Sequence, residues 1–176
     1  MSGLPGSGKS TLGGRIAEAL ELPLLDKDRY LEELFRVRGA GDAAWRRALS
    51  RESDSILQAE ATASNGAVLV SHWRLPGMAE GSGTPWEWVS GLSRRVAHVH
   101  CECDPEIAAR RFFERRRHPG HGDSDRPFAA VLASIRETAS LRMPGLHPVV
   151  AVDTSGPVNF EAAIREVREN LASFGH

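Results

Sequence analysis

Gly3-Leu4-Pro5-Gly6-Ser7-Gly8-Lys9-Ser10 sets three glycines, a lysine and a hydroxyl at a spacing that could hold a polyphosphate. Glycine lets the backbone curl until successive N–H groups face one centre. A helix beginning near Lys9 adds its unpaired N-terminal donors and its positive dipole end. The stretch fits the Walker A pattern G-x-x-x-x-G-K-[ST] at every position. In that pattern Lys9 reaches the β and γ phosphates and the Ser10 hydroxyl ligates Mg²⁺. Thr11 follows in line for the α phosphate. Gly3, Leu4, Pro5, Gly6, Ser7, Gly8, Lys9, Ser10 and Thr11 are therefore expected to bind ATP or a close relative, with Ser10 as the metal ligand.

Carboxylates and arginines supply a second kind of chemistry. Asp28 follows a short apolar run, and parallel sheets bind ligands beyond the carboxyl ends of their strands. A carboxylate there could take the proton of an attacking hydroxyl during phosphoryl transfer. It could equally cap the helix that follows. Asp26 is the alternative base. Arg111 and Arg115, four apart, share a face if their segment is helical, and Arg126 lies beyond a Gly-rich loop. Arginines closing on a γ-phosphate stabilise the charge spread over its oxygens; the competing reading is a solvated basic face. Trp73, Trp86 and Trp88 fall in a Gly- and Pro-rich stretch over 72–92 with His72 and Arg74, and either line an acceptor pocket or pack the stretch onto the core. His98, His100, Cys101 and Cys103 include metal-ligating types, but strand alternation puts the histidines and the cysteines on opposite faces, as expected of a packed strand.

These residues need a scaffold, and apolar periodicity provides one. Helices are predicted over 9–21, 28–37, 43–64, from 104 onward, 127–142 and 160–174. Strands are predicted over 22–26, 67–71, 96–103 and 149–152. Asp104-Pro105-Glu106 is a helix start: a cap, a proline for the first turn and an acid for the positive end. Strands alternating with helices imply a three-layer α/β domain with a mainly parallel sheet. The 176 residues suit one domain over 1–176, with a lid around 111–126.

A formal net charge of −1 disfavours long nucleic acid as a partner. No apolar run spans a bilayer and the N-terminus is not patterned as a signal peptide, so a cytoplasmic location is expected.

Taken with their order, these segments resemble the small P-loop kinases and phosphotransferases related to the nucleoside monophosphate kinases. They are most similar to bacterial ATP-dependent kinases of this type, with gluconate kinase, chloramphenicol phosphotransferase and the polynucleotide kinase domain as further relatives. The likeness rests on Gly3 to Thr11, on Leu25-Asp26-Lys27-Asp28-Arg29-Tyr30, on Arg111-x-x-x-Arg115 as the entry to a lid, and on Val152-Asp153-Thr154-Ser155. It implies a strand ahead of Gly3, the central one of the sheet, where only Met1 and Ser2 stand; that strand is expected to be missing and the natural chain to begin upstream. It also implies a carboxylate after the third strand, where this chain reads Val70-Ser71-His72-Trp73-Arg74. That departure argues against motor-type ATPases. The expected activity is transfer of the γ-phosphate of ATP–Mg²⁺ to a hydroxyl of a small molecule, with Lys9, Asp28, Arg111, Arg115 and Arg126 as the catalytic set. Two alternatives stand beside it: a kinase for nucleosides, nucleotides or 5′-hydroxyl nucleic-acid ends, and a nucleotide-binding regulator without acceptor chemistry.

Overall fold

The computed structural model describes residues 1–79, 81–92, 95–123 and 126–173. In chain order the elements are β1 (Ser2–Gly3), α1 (Lys9–Leu20), β2 (Leu24–Asp26), α2 (Lys27–Arg38), α3 (Ala43–Ala63), β3 (Val68–Val70), β4 (His98–Glu102), α4 (Pro105–Glu114), α5 (Phe128–Thr138), β5 (Val149–Asp153) and α6 (Phe160–Ala172). Single 3₁₀ turns lie at Glu87–Gly91 and Pro119–His121.

Every ladder is parallel: β2 pairs with β3, β1 with β4, and β4 with β5. Helices cover both faces, as parallel strands require. On one face Leu12 and Ile16 of α1 and Ala163 and Val167 of α6 close over Val68, Val70, Val99, Cys101, Val150 and Val152. On the other, Leu57 and Ala61 of α3 pack with Leu25, Trp73, Val89, Met143 and Leu146. The tryptophans thus resolve toward packing: Trp73 is buried against Trp88, ring centroids 6.2 Å apart, and Trp86 and Trp88 lie against the same cluster.

Helix starts follow side-chain caps. Asp42 accepts from Trp45 N at 2.8 Å, Asp104 from Glu106 N and Ile107 N, and Asn159 from Ala162 N at 3.0 Å. The second helix begins one residue earlier than its pattern predicts, because Asp26 is its cap and accepts from Asp28 N at 3.1 Å. Asp28 is therefore not the cap. Helix α4 is shorter than the arginine spacing suggests. Arg115 turns extended (φ −70°, ψ 138°), so Arg111 and Arg115 do not share a continuous helix face. Downstream His118 precedes Pro119, and a residue before proline is driven out of the helical region.

Ahead of the glycine loop, β1 is two residues long and pairs with His100 and Cys101. Those contacts place the loop but leave two separate ladders, joined where the Met1 ammonium donates to Leu69 O at 2.8 Å. Beyond Met1 a cavity of about 660 Å³ opens, with Leu69, Val99, Ile16, Trp73, Leu146 and Val167 on its walls. Burial holds the Met1 amine down to about 6. Fusing an apolar extended segment of about five residues, a typical strand length, ahead of Met1 is expected to raise Tm by several degrees. It replaces a buried amine with a peptide N–H and fills apolar space. Melting curves on both forms test this, and equal values sink it.

Ser2 supplies a second test. Its hydroxyl lies 2.6 Å from His98 Nε2 and 2.7 Å from His100 Nδ1, all three residues buried. The histidines share one face, while Cys101 joins the core on the other. Both cysteines are free. Burial pushes His98 down to about 4. The unfolded imidazole takes its proton near 6.5, so the native state binds fewer protons between about pH 4 and 6.5. Stability is then expected to fall as pH drops through that window, by on the order of 2 kcal/mol for this group. A His98→Gln variant should show a shallower decline of Tm from pH 7 to 4.5; an unchanged slope assigns the acid sensitivity elsewhere.

Candidate active site

The glycine loop crosses from β1 to α1 and needs its glycines for two reasons. Gly3, Gly6 and Gly8 have φ of 137°, 81° and 84°. A Cβ on Gly6 would lie 2.1 Å from Ala108 O. Ser7 N bonds back to Leu4 O at 3.1 Å, tightening the curl. Lys9 folds over it, donating to Gly3 O at 3.0 Å and Leu4 O at 2.7 Å. Burial lowers its ammonium to about 8. An anion brought beside it favours the charged form and offsets that burial.

A cavity of about 860 Å³ extends from this loop. Lys9, Ser10 and Thr11 line it together with Asp26 and Asp28. The Ser10 hydroxyl lies beside the Asp26 carboxyl. Burial raises the Asp26 carboxyl, and Ser10 and the bond from Asp28 N only partly oppose this. A hydroxyl and a carboxylate at the head of α1 form a hard oxygen set, which fits Mg²⁺.

Asp28 sits in the first turn of α2, bonded to the guanidinium of Arg117. Arg117 also holds Asp123 at 2.7 Å. Burial alone would raise the Asp28 carboxyl. Arg117, with His121, Arg115 and Lys9, outweighs burial and holds it below its ordinary value. This carboxylate is charged at neutral pH.

The predicted arginines take different positions. Arg115 stacks on Phe112, 4.5 Å from its ring centroid, and lines the cavity. Arg126 also lines it. Arg111 reaches the wall too, but its guanidinium donates to Thr154 O at 2.6 Å and Ser155 O at 3.1 Å, tying α4 to the end of β5. His72 lines the cavity; burial first, then Lys9 and Lys27, drives it down to about 4, so it is neutral. Arg74 is turned to Ser82 O at 3.1 Å, and Trp86 and Trp88 are not on the cavity wall.

Segment 115–123 docks on α2 and α3. His118 stacks on Phe35 with centroids 5.3 Å apart, and His121 meets Glu32 at 3.1 Å. Arg46 of α3 donates to His121 O at 2.8 Å. A Cβ on Gly120 would lie 2.6 Å from the Phe35 ring, so this approach requires glycine.

Several wall residues have no local sequence signal. Lys27, Arg46, Arg47, Ser50, Ser71 and Arg117 all face this cavity. Arg46 and Arg47 form a basic pair one helical turn past the Asp42 cap, which reads as a solvated helix start until α2, α3 and segment 115–123 come together. Arg47 makes no ion pair among the described residues.

Comparison with known proteins bears on the family and the fold. The family model described as AAA domain, AAA_33, matches residues 1–141. A crystal structure described as a "putative kinase" from Chloroflexus aurantiacus J-10-fl is similar with TM-score 0.78 and 26% identity, covering 96% of each chain. A gluconokinase structure from Sinorhizobium meliloti 1021 shares the fold, with TM-score 0.54, 23% identity and coverage of 98% of this chain and 89% of that one. A shikimate kinase of Corynebacterium jeikeium (strain K411) is 42% identical over 72 residues, 38% of this chain, a match spanning 36% of that relative's length.

Proposed function

Because the chain belongs to the AAA-domain family AAA_33, we propose that it transfers the γ-phosphate of ATP to a hydroxyl of a small molecule that also bears an anionic group. One observation carries the reading: a single cavity brings the glycine loop and Lys9 together with two carboxylates and arginines from segment 115–126. A similar fold in the Chloroflexus structure described as a "putative kinase" supports it.

In this reading Gly3 to Thr11 bind the triphosphate through backbone N–H groups, and Lys9 leaves its loop carbonyls for the phosphates. Ser10 and Asp26 hold Mg²⁺, which neutralises charge on the phosphate oxygens when bound. Asp26 thus moves from alternative base to cation site, since the Ser10 hydroxyl lies beside it. Asp28 orients the attacking hydroxyl and takes its proton late, as a loose transition state permits. Arg115 and Arg126 stabilise the transferring group. Arg111 acts by fixing α4 against β5 through the Thr154 and Ser155 carbonyls. Segment 115–123 serves as the lid that keeps water from the phosphate.

The anionic group follows from the far wall. Arg46 and Arg47 face the same cavity, and Arg47 has no carboxylate partner among the described residues, whereas Lys27 on that wall is already paired with Asp54. An acceptor carrying a carboxylate or phosphate would neutralise that wall. The test is a library of metabolites and antibiotics screened for acceptor-dependent ADP release. Anionic hydroxyl compounds should dominate the responses. A library without any response ends the phosphotransfer reading, and responses confined to uncharged acceptors end the anionic one.

A further inference from the structure

The Ser71 hydroxyl begins a buried chain of hydrogen bonds. Ser71 Oγ meets Thr84 Oγ1 at 2.5 Å, and Thr84 Oγ1 meets Asp54 Oδ1 at 2.7 Å. Ser71 is 4% exposed and Thr84 is wholly buried. Asp54 also pairs with Lys27 Nζ at 3.1 Å, and Lys27 reaches Ser50 Oγ at 2.8 Å. The chain joins the end of β3, the 72–92 stretch, α3 and the start of α2.

Its polarity is fixed from one end. A carboxylate paired with an ammonium accepts and cannot donate. Thr84 has one hydroxyl proton, and that proton goes to Asp54. Its oxygen is left to accept from Ser71, whose own single proton is thereby used. Ser71 offers the cavity lone pairs only. Ser50, on the same wall, is the reverse: it accepts from Lys27 and keeps its own proton.

We propose that Ser71 is a specificity-determining residue that accepts a hydrogen bond from a hydroxyl of the acceptor molecule, and that Asp54, through Thr84, is the positioning residue that sets its polarity. This rests on the phosphotransfer reading above. The register supports the location: Asp26 pairs with Val70 across β2 and β3, so Ser71 leaves the sheet beside the segment that carries Asp28. Its hydrogen-bonded chain runs through Thr84 to Asp54 of α3, the helix whose Arg46, Arg47 and Ser50 line the same cavity. An acceptor with an ether or a bare C–H at that point leaves Ser71 unpaired in a buried wall. Sites built around a substrate hydroxyl reject analogues that lack it far better than apolar pockets reject an extra one.

Two measurements test this. The first is neutron diffraction on deuterated crystals of the chain. Deuterium on Ser71 Oγ directed at Thr84 is expected; deuterium directed into the cavity overturns the proposal whether or not any acceptor turns over. The second uses the acceptor that emerges from the ADP-release screen. Ser71→Ala and Asp54→Asn should each raise its KM at least about tenfold, with ATP affinity kept within roughly twofold. Combining Ser71→Asp with Asp54→Asn returns a group that only accepts, and most of the KM loss should be recovered. A double variant as impaired as Asp54→Asn alone makes Asp54 a merely structural residue and overturns its positioning role. A screen that finds no acceptor ends the phosphotransfer reading, and the deuterium positions then decide the polarity by themselves.

Discussion

Lys9→Ala is expected to weaken ATP binding at least about tenfold at pH 7, or roughly 1.4 kcal/mol. The side chain is buried, its ammonium is already depressed to about 8, and two loop carbonyls hold it at the head of the cavity. A phosphate arriving there gains a charge-assisted hydrogen bond, the strong kind. Proton linkage gives a sharper form of the same prediction. An anion raises the Lys9 pKa, so above about pH 8 the complex binds more protons than the free chain. Affinity should hold below pH 8 and decline above it, while Lys9→Ala loses that decline. Calorimetric titration of ATP from pH 7 to 9.5 on both chains measures it. Equal affinity at pH 7 together with parallel pH curves would remove the phosphate assignment.

The phosphate loop was legible because its chemistry is local. Each glycine, the lysine and the helix that follows lie within a dozen residues, and their spacing alone dictates a curled backbone with converging donors. The layering was legible for a related reason, since burial on both strand faces leaves continuous apolar runs. The acceptor end was not. Arg117 meets Asp28 across 89 positions of sequence, and Arg46 reaches His121 across 75. No periodicity encodes such a pairing. The arginine segment misled in a specific way: Arg111 and Arg115 are spaced for one helix face, yet the helix ends between them. Arg117, which carries no signal of its own in the sequence, is the one that touches Asp28. At the second strand the cap and the candidate base were both visible as carboxylates. Only the hydrogen bond from Asp28 N to Asp26 tells which is which.

That assignment makes Asp28→Asn the more discriminating substitution. A capping role at position 28 no longer competes, because Asp26 caps α2. Replacement by Asn keeps the size, removes the proton acceptor and weakens the tie to Arg117. Turnover should drop on the order of a hundredfold or more, with ATP affinity little changed. The pH profile adds a second reading. Burial would raise the Asp28 carboxyl, but Arg117 and its neighbours hold it low, so it is charged down to pH values below the ordinary carboxylate value of about 4. The acid limb of kcat/KM for the wild-type chain should therefore not be set by Asp28 at mildly acidic pH. Asp26→Asn is the contrasting variant. Asp26 is pushed up by burial and lies beside the Ser10 hydroxyl, so its loss should weaken the Mg²⁺-dependent part of ATP binding, while Tm should not fall, because Asn keeps the cap and removes a charge that burial disfavours. If Asp28→Asn turns over normally while Asp26→Asn does not, even with ATP and Mg²⁺ saturating, the proton acceptor is Asp26. If both variants keep their turnover, neither carboxylate takes the proton. Catalysis then rests on Lys9, the bound cation and the arginines of segment 115–126, and the ion pair between Arg117 and Asp28 becomes a latch that holds the lid rather than part of the chemistry.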